Sequence, residues 1–599
     1  MYKLTRQEIE ASNGSNLEDI DSKISLLHKT IFKDNSLKDE VSRGMMRSYQ
    51  KDFFVVFFSV CDGESRALVY CGRGTTIQNA WDLALDQMKE ELLKKQNYKP
   101  IWLKVDFVDQ IQTIKTADLN YRLREHSFAY FYRKGLAFDE NFETAFLEAE
   151  LNGNNMLVYK TGKDSKKKDS GFGSLDQRNI NDYLRQYDKR PSLKAVPKKI
   201  FEFNTRAFFC DEQNIVYPLY RGHPDAGRRI IPETTGEVIQ EIITKASRYL
   251  NNLITPSGKF IYGYYPIFGR EAKSYNIVRH VSSLWSLANL YRVTGDKEVL
   301  ANLDLAIQYV IDNHIEYKDK ETAFVVERKS NEIKLGANGM ALVMFTEYMD
   351  VVKTDKYVQL VRHLANGAIT MQNKRKGTFV HVLSFPSYEL KDKFRVIYYD
   401  GEVVFGLARA YSVTKDEKYL LAAKAGVDNF IAKKYTKYRD HWVAYALNEL
   451  TKHLPEPRYF KFAMKNVKDN LERIYQRGTS FHTYLELLMV SWQTYERLKE
   501  SSIDLSYMEK FDVERFAQTI YRRARHMLNG FFYPEYAMYM KYPNQILDGF
   551  MVRHQSFRTR IDDVQHFIGG YYYYVIYYAN IRKHLSEEFL HGIDDSSEL

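Results

Sequence analysis

Six short stretches put side chains able to move protons or hold anions just ahead of runs that turn apolar. They supply Asn276, Arg279 and His280; Asn338; Asp400 and Glu402; His441 and Trp442; His482 and Tyr484; and Arg560, Asp562, Asp563, Gln565 and His566. Carboxyl groups and imidazoles are the usual general acids and bases. Guanidiniums clamp carboxylates and phosphates, and Trp and Tyr stack on apolar faces. Helix capping accounts for Asp400, Asp562 and Asn338 by themselves, because Asp and Asn satisfy free N–H groups at helix starts. It accounts poorly for Arg279, His280, His441 and His566, since cations there oppose the helix dipole. The recurrence of such starts is therefore read as one site.

The elements that must position them are helices. From about Thr235 the texture is helical, with twelve expected helices over 236–252, 276–293, 297–314, 337–353, 356–372, 400–414, 416–432, 441–451, 456–474, 481–500, 511–528 and 562–585. The segments LYRVTGDKEVLANLDLAIQYV, YMDVVKTDKYVQLVRHLANGA and AYSVTKDEKYLLAAKAGVDNF align as a degenerate repeat of about 60 residues, which implies stacked helix pairs. Within each pair one helix is apolar all round and the other amphipathic, the alternation of an inner and an outer ring. Six pairs suit a closed double ring as well as an open solenoid.

The first half reads as α/β. FFVVFFSVC (53–61) and ALVYCGRG (67–74) form a hairpin, TIQNAWDLALDQMKEELLKK (76–95) a helix, and IWLKVDFVD (101–109) a third strand. GRGTT (72–76) lacks a full phosphate-binding pattern and is read as a tight strand-to-helix turn. The polar stretch TGKDSKKKDSGFGS (161–174) is read as an exposed loop, and the start of the chain, MYKLTRQEIEASNGSNLEDID, as lacking an apolar signal core. The expected organisation is an α/β domain over 1–160, a linker and docking segment over 161–234, an all-α toroid over 235–585 and a polar tail over 586–599.

The 599 residues carry a net charge of +10, spread along the chain, which gives no nucleic-acid footprint. No run approaches the ~18 apolar residues of a membrane span, so the expectation is a cytoplasmic protein with no membrane insertion. Cys61, Cys71 and Cys210 are too few for a disulfide framework and show no zinc spacing. The 46 tyrosines and 36 phenylalanines fit a codon bias better than a run of stacking platforms.

The alternating helices, the turn YRVTGDKEVL and the polar inner-helix starts resemble the six-hairpin glycosidase-like toroids over about residues 235–585. That superfamily contains glycoside hydrolases, polysaccharide lyases and sugar epimerases. The resemblance implies that all six inner-helix starts meet at one end of the ring. It implies a glycan substrate; the basic side chains point to an anionic one, such as a uronic acid or a phosphorylated glycan, and no cofactor is expected. Glycoside hydrolysis needs two facing carboxyl groups. Glu402, one turn inside an apolar helix, is the expected acid, and Asp562 the base, with Asp563 and Asp400 as rivals. Asn276, Arg279, His280, Asn338, His441, Trp442, His482, Tyr484, Arg560, Gln565 and His566 would line the pocket. His and Tyr could instead serve a lyase or epimerase, and a non-catalytic glycan- or partner-binding module would keep the arginines and aromatics alone. Zinc is not expected, because helical HxxxH spacing is missing.

Overall fold

The computed structural model describes residues 16–33, 41, 53–95, 98–125, 132–160, 172–188, 192–222, 224–504, 508 and 511–595. The first 15 residues, most of the stretch 161–174 and the last four residues lie outside them.

The N-terminal half is built on an antiparallel sheet. The hairpin Phe54–Cys61 and Leu68–Gly74 pairs onward to Trp102–Lys115. The helix Ile77–Leu93, capped by Thr76, packs across the hairpin. Its close approach explains the glycines of GRGTT: a Cβ on Gly72 would lie 2.0 Å from the Ala80 carbonyl oxygen. The turn is thus a packing device. Trp102–Lys115 then pairs with Lys199–Cys210 along almost its whole length. The sequence reading places 199–210 in a linker and docking segment; in the structure it is a full strand of this sheet. KIFEFNTRAFFC alternates poorly because seven of its twelve side chains are buried, and a strand covered on both faces loses the period of two.

The second half is helical. Six helices, Ile277–Thr294, Leu335–Val352, Tyr398–Thr414, His441–His453, Thr483–Glu500 and Ile561–Arg582, pack each on the next, and the last returns to the first. Six others, Gly236–Asn252, Lys297–His314, Val358–Thr370, Glu417–Ala432, Pro457–Lys468 and Val513–Met527, lie against them on the outside. The recurrent Asp before Lys is a cap: Asp296 and Asp416 accept the backbone N–H groups of Glu298 and Lys418 at the starts of outer helices. Gly295, Lys353 and Lys415 end three inner helices in the left-handed region, where glycine alone is unstrained.

One feature of this half was not expected. Five short antiparallel strands, Ile315–Tyr317, Ala323–Glu327, Glu332–Lys334, Val382–Ser384 and Leu390–Asp392, make a sheet in the links that lead to the second and third inner helices. Most are three residues long, too short to show a period.

The two halves share one core. A continuous apolar cluster runs from Ile20 to Leu590. The segment before the last inner helix carries part of the polar contact, and Arg525 adds to it from the outer helix Val513–Met527 by donating to the Tyr220 hydroxyl at 2.7 Å. Arg66 Nε donates to the Tyr539 carbonyl at 2.9 Å, and Tyr539 donates its hydroxyl to Ser59 at 2.8 Å. Arg229 forms a fork on Glu535 at 2.9 and 2.7 Å. Glu535 is fully buried, so Arg229→Ala strands its charge. The expected loss is about 3–5 kcal/mol in urea unfolding. Lys245→Ala, from the exposed pair with Glu241, is expected to cost at most ~1 kcal/mol.

Candidate active site

The ring gathers side chains from the starts of five inner helices. Arg279, in the first turn of its helix, donates from Nε to Asp562 Oδ2 at 2.6 Å and from Nη1 to the Tyr262 hydroxyl at 2.7 Å. Arg560 grips both oxygens of Asp562. Burial alone would raise the Asp562 carboxyl, but Arg560 and Arg279 outweigh it and hold the group far below the usual carboxylate range. Asp563 is taken by a two-bonded fork from Arg558, both at 2.9 Å.

Glu402 is the opposite case. It is buried, and its Oε2 has no hydrogen-bond partner among the described residues. Desolvation pushes its carboxyl up to about 8, against a weaker opposing pull from His566 and Arg279. It is therefore mostly protonated at neutral pH. Gly336 makes room for it: a Cβ there would lie 2.0 Å from Glu402 Oε2.

Beside it lies a histidine–carboxylate group. His566 Nδ1 stands 2.7 Å from Glu486 Oε2. Burial alone would lower the imidazole, but Glu486 overcomes it and raises His566 above its ordinary value. Tyr445 donates to the other oxygen of Glu486 at 3.2 Å. The His441 ring centre is 5.0 Å from that of His566, and His482 stacks on His566 at the same distance. His441 is buried, and neither ring nitrogen has a hydrogen-bond partner among the described residues. Ligand atoms of His441, Glu486 and His566 all lie within 4.8 Å of one another. The face is open to solvent at Arg279, 33 % exposed, Arg560, 18 %, and His566, 13 %. Trp442 is 2 % exposed and packs between Trp285 and His566, so it floors the site and offers no stacking face. Tyr484 packs on Phe481 near the rim. Gln565 is fully buried, with neither amide atom bonded among the described residues.

Four expected residues are placed elsewhere. His280 points to the outer layer, with Nδ1 2.7 Å from the Tyr275 hydroxyl and Nε2 3.3 Å from the Ala306 carbonyl. It is a buried structural histidine, pushed down to about 3 by burial. Asn338 ties its helix to the short sheet by accepting the Val325 N–H at 2.8 Å. Asp400 accepts from Tyr435 at 2.8 Å and faces His381. Asn276 caps its helix on the Val278 N–H. Glu486, Asp440 and Tyr262 are not among the residues expected from the sequence. Glu486 had a signal, a carboxylate four residues after His482 in an otherwise apolar helix. Tyr262 had none, because only the three-dimensional fold brings its loop to Arg279.

A surface groove of about 650 Å³, lined by Gln240, Arg248, Ile576 and Tyr578 among others, shares no residue with this cluster. No helix among the described residues is long and apolar enough to cross a membrane.

No family model and no curated sequence matches the chain. Solved structures do. A D-mannose isomerase aligns at 13% identity over 58% of this chain and 98% of its own, with a TM-score of 0.44. The cellobiose 2-epimerase of Bacillus thermoamylovorans aligns at 12% identity over 50% and 89%, with a TM-score of 0.41. A GH76 α-mannanase of Bacteroides thetaiotaomicron aligns at 10% identity over 58% and 97%, also with a TM-score of 0.41. All three are six-hairpin glycosidase-like (α/α)6 toroid proteins, and the likeness covers about half of this chain.

Proposed function

We propose that the chain is a carbohydrate-active enzyme that moves protons on a sugar, with an N-terminal α/β part seated against a toroid of six helical hairpins. The reaction class we favour is isomerisation or epimerisation next to the sugar carbonyl. The single observation that carries this reading is the His566–Glu486 pair near a buried Glu402 whose Oε2 has no hydrogen-bond partner among the described residues.

In this mechanism His566 Nε2 removes the proton from the carbon next to the carbonyl. Glu486 holds Nδ1–H and stabilises the imidazolium that forms. Glu402 gives its proton to the carbonyl oxygen as negative charge develops there, so the intermediate is a neutral enediol. His566 then returns its proton to the neighbouring carbon while the Glu402 carboxylate takes the proton of the second enediol hydroxyl, which gives the isomer; return of a proton to the other face of the first carbon, with Glu402 taking back the proton it gave, gives the epimer. Arg279 and Tyr262 orient hydroxyl groups. A lyase would use the same base on a proton next to a carboxylate.

The hydrolase reading keeps Glu402 as acid but needs a second carboxylate as base or nucleophile. Asp562 is held between Arg279 and Arg560, Asp563 by Arg558, and Asp400 by Tyr435. Those pairings weaken it. They also weaken the expectation of an anionic substrate, because the guanidinium charges are largely matched within the protein.

The test is incubation of the protein with a panel of reducing mono- and disaccharides, read by chromatography. A single sugar should give a mixture of two isomers of equal mass. Shorter sugars with new reducing ends would instead favour hydrolysis. Gly336→Ala is expected to displace Glu402 and to lower turnover by about 100-fold in the same assay, with the fold intact by circular dichroism.

A further inference from the structure

We propose that His441, Glu486 and His566 form a binding site for one zinc-like divalent cation. The three side chains come from three consecutive inner helices, so the ring itself sets their spacing. Their candidate ligand atoms lie within 4.8 Å of one another. His441 Nε2 is 3.7 Å and His566 Nδ1 2.7 Å from Glu486 Oε2. Ligands ~2.0–2.1 Å from a tetrahedral ion are separated by ~3.3 Å, so the two pairs to Glu486 need shifts of about half an ångström, and the His441–His566 pair, which lies within 4.8 Å, closes by at most about 1.5 Å.

His441 supplies the second observation. It is 1 % exposed, yet neither ring nitrogen has a hydrogen-bond partner among the described residues. A buried imidazole left so costs free energy unless something binds it. Its surroundings match the outer shell of a metal site. Asp440 Oδ1 stands 3.7 Å from His441 Nδ1, beyond hydrogen-bond distance, and a small turn of the ring on binding a cation would bring Nδ1–H onto it. Tyr445 fixes the second oxygen of Glu486 at 3.2 Å. A carboxylate that accepts from the second ring nitrogen of a metal-bound histidine orients the ring and raises ligand basicity, and Asp440 is placed to take that role. Two histidines and one glutamate with a fourth position open to solvent suit zinc or cobalt(II) better than magnesium or calcium, which prefer oxygen ligands.

Binding has a consequence. His566 Nδ1 cannot donate to Glu486 while it coordinates a cation, so the ion and the proton-transfer pair exclude each other. Zinc is expected to inhibit. That consequence rests on the proposed reaction; the binding itself does not.

The test uses the full chain, stripped with a chelator and titrated with zinc chloride alone by calorimetry. One equivalent should bind. Asp440→Asn should weaken it by about 10–100-fold, His441→Ala should abolish stoichiometric binding, and His363→Ala should leave it unchanged. Cobalt(II) added to the unaltered protein should give the intense visible absorption of a four- or five-coordinate site, which needs no variant to fold. Absence of stoichiometric zinc binding, a pale octahedral cobalt spectrum, or unchanged binding in a folded His441→Ala protein would each overturn the site. If zinc binds as described but leaves turnover unaffected, the cation site stands and the assigned role of His566 falls.

Discussion

Glu402→Gln is expected to lower turnover by about 10²–10⁴-fold, the usual cost of losing a general acid, while leaving the protein at least as stable as the wild type. The two effects have one cause. Glu402 is held at about 8 by burial, against an ordinary 4.5. The unfolded chain therefore gives up this proton first. As pH rises from 4.5 towards 8 the wild type loses stability by up to about 1.4 kcal/mol per unit, and above 8 the loss stops growing. Glutamine has no proton to lose. The melting temperature of the variant relative to wild type should climb across that window and level off above it. In the wild type, kcat/KM should fall above about pH 8, as the acid is deprotonated. That limb should be missing from whatever activity Glu402→Gln retains. A variant that is both inactive and unstable at every pH would mean that Glu402 serves packing and not proton transfer.

His566→Gln is the second large effect. Removal of the base should again cost about 10²–10⁴-fold, and the pattern differs from that of Glu402→Gln. Exchange of the proton next to the carbonyl with solvent should stop together with turnover. Glu486→Gln should be milder, because the imidazole stays in place and loses only the carboxylate that stabilises its charged form. Its expected signature is a shift of the acidic limb of the pH profile to lower pH with KM little changed. Equal damage from Asp562→Asn, with His566→Gln active, would restore the carboxylate-pair account of a hydrolase.

Much of this site could be read from the sequence, and the limits are instructive. The alternation of all-apolar and amphipathic helices marks the inner layer, and the polar residues that open those helices include Arg279, Glu402, His441 and His566. The weakened acidity of Glu402 on burial follows from one carboxylate placed one turn inside an apolar helix. The sequence does not distinguish a polar residue that faces the mouth from one that faces the next layer. His280 sits one residue after Arg279, a step of about 100° around the helix, and so meets Tyr275 and Ala306 in place of substrate. Asn338 and Asp400 follow the same logic, drawn off by Val325 and by Tyr435 and His381. The pairing of Asp562 with two arginines was also out of reach. Arg560 is two residues away and visible, but Arg279 arrives from the opposite end of the ring's sequence, 283 residues earlier. Lys199–Cys210 was hidden for a different reason: a strand buried on both faces has no alternation to detect.

The claim that this mouth moves protons, and does not cleave glycosidic bonds, is tested most directly in deuterium oxide. The wild-type protein is incubated with a reducing disaccharide or monosaccharide that it converts, and the sugar is followed by proton NMR and mass spectrometry. Proton transfer through an enediol predicts one solvent deuteron at the carbon next to the carbonyl, a mass gain of one unit and no new reducing end, with the signal lost in His566→Gln. Release of shorter sugars whose carbon-bound protons remain unexchanged would contradict it.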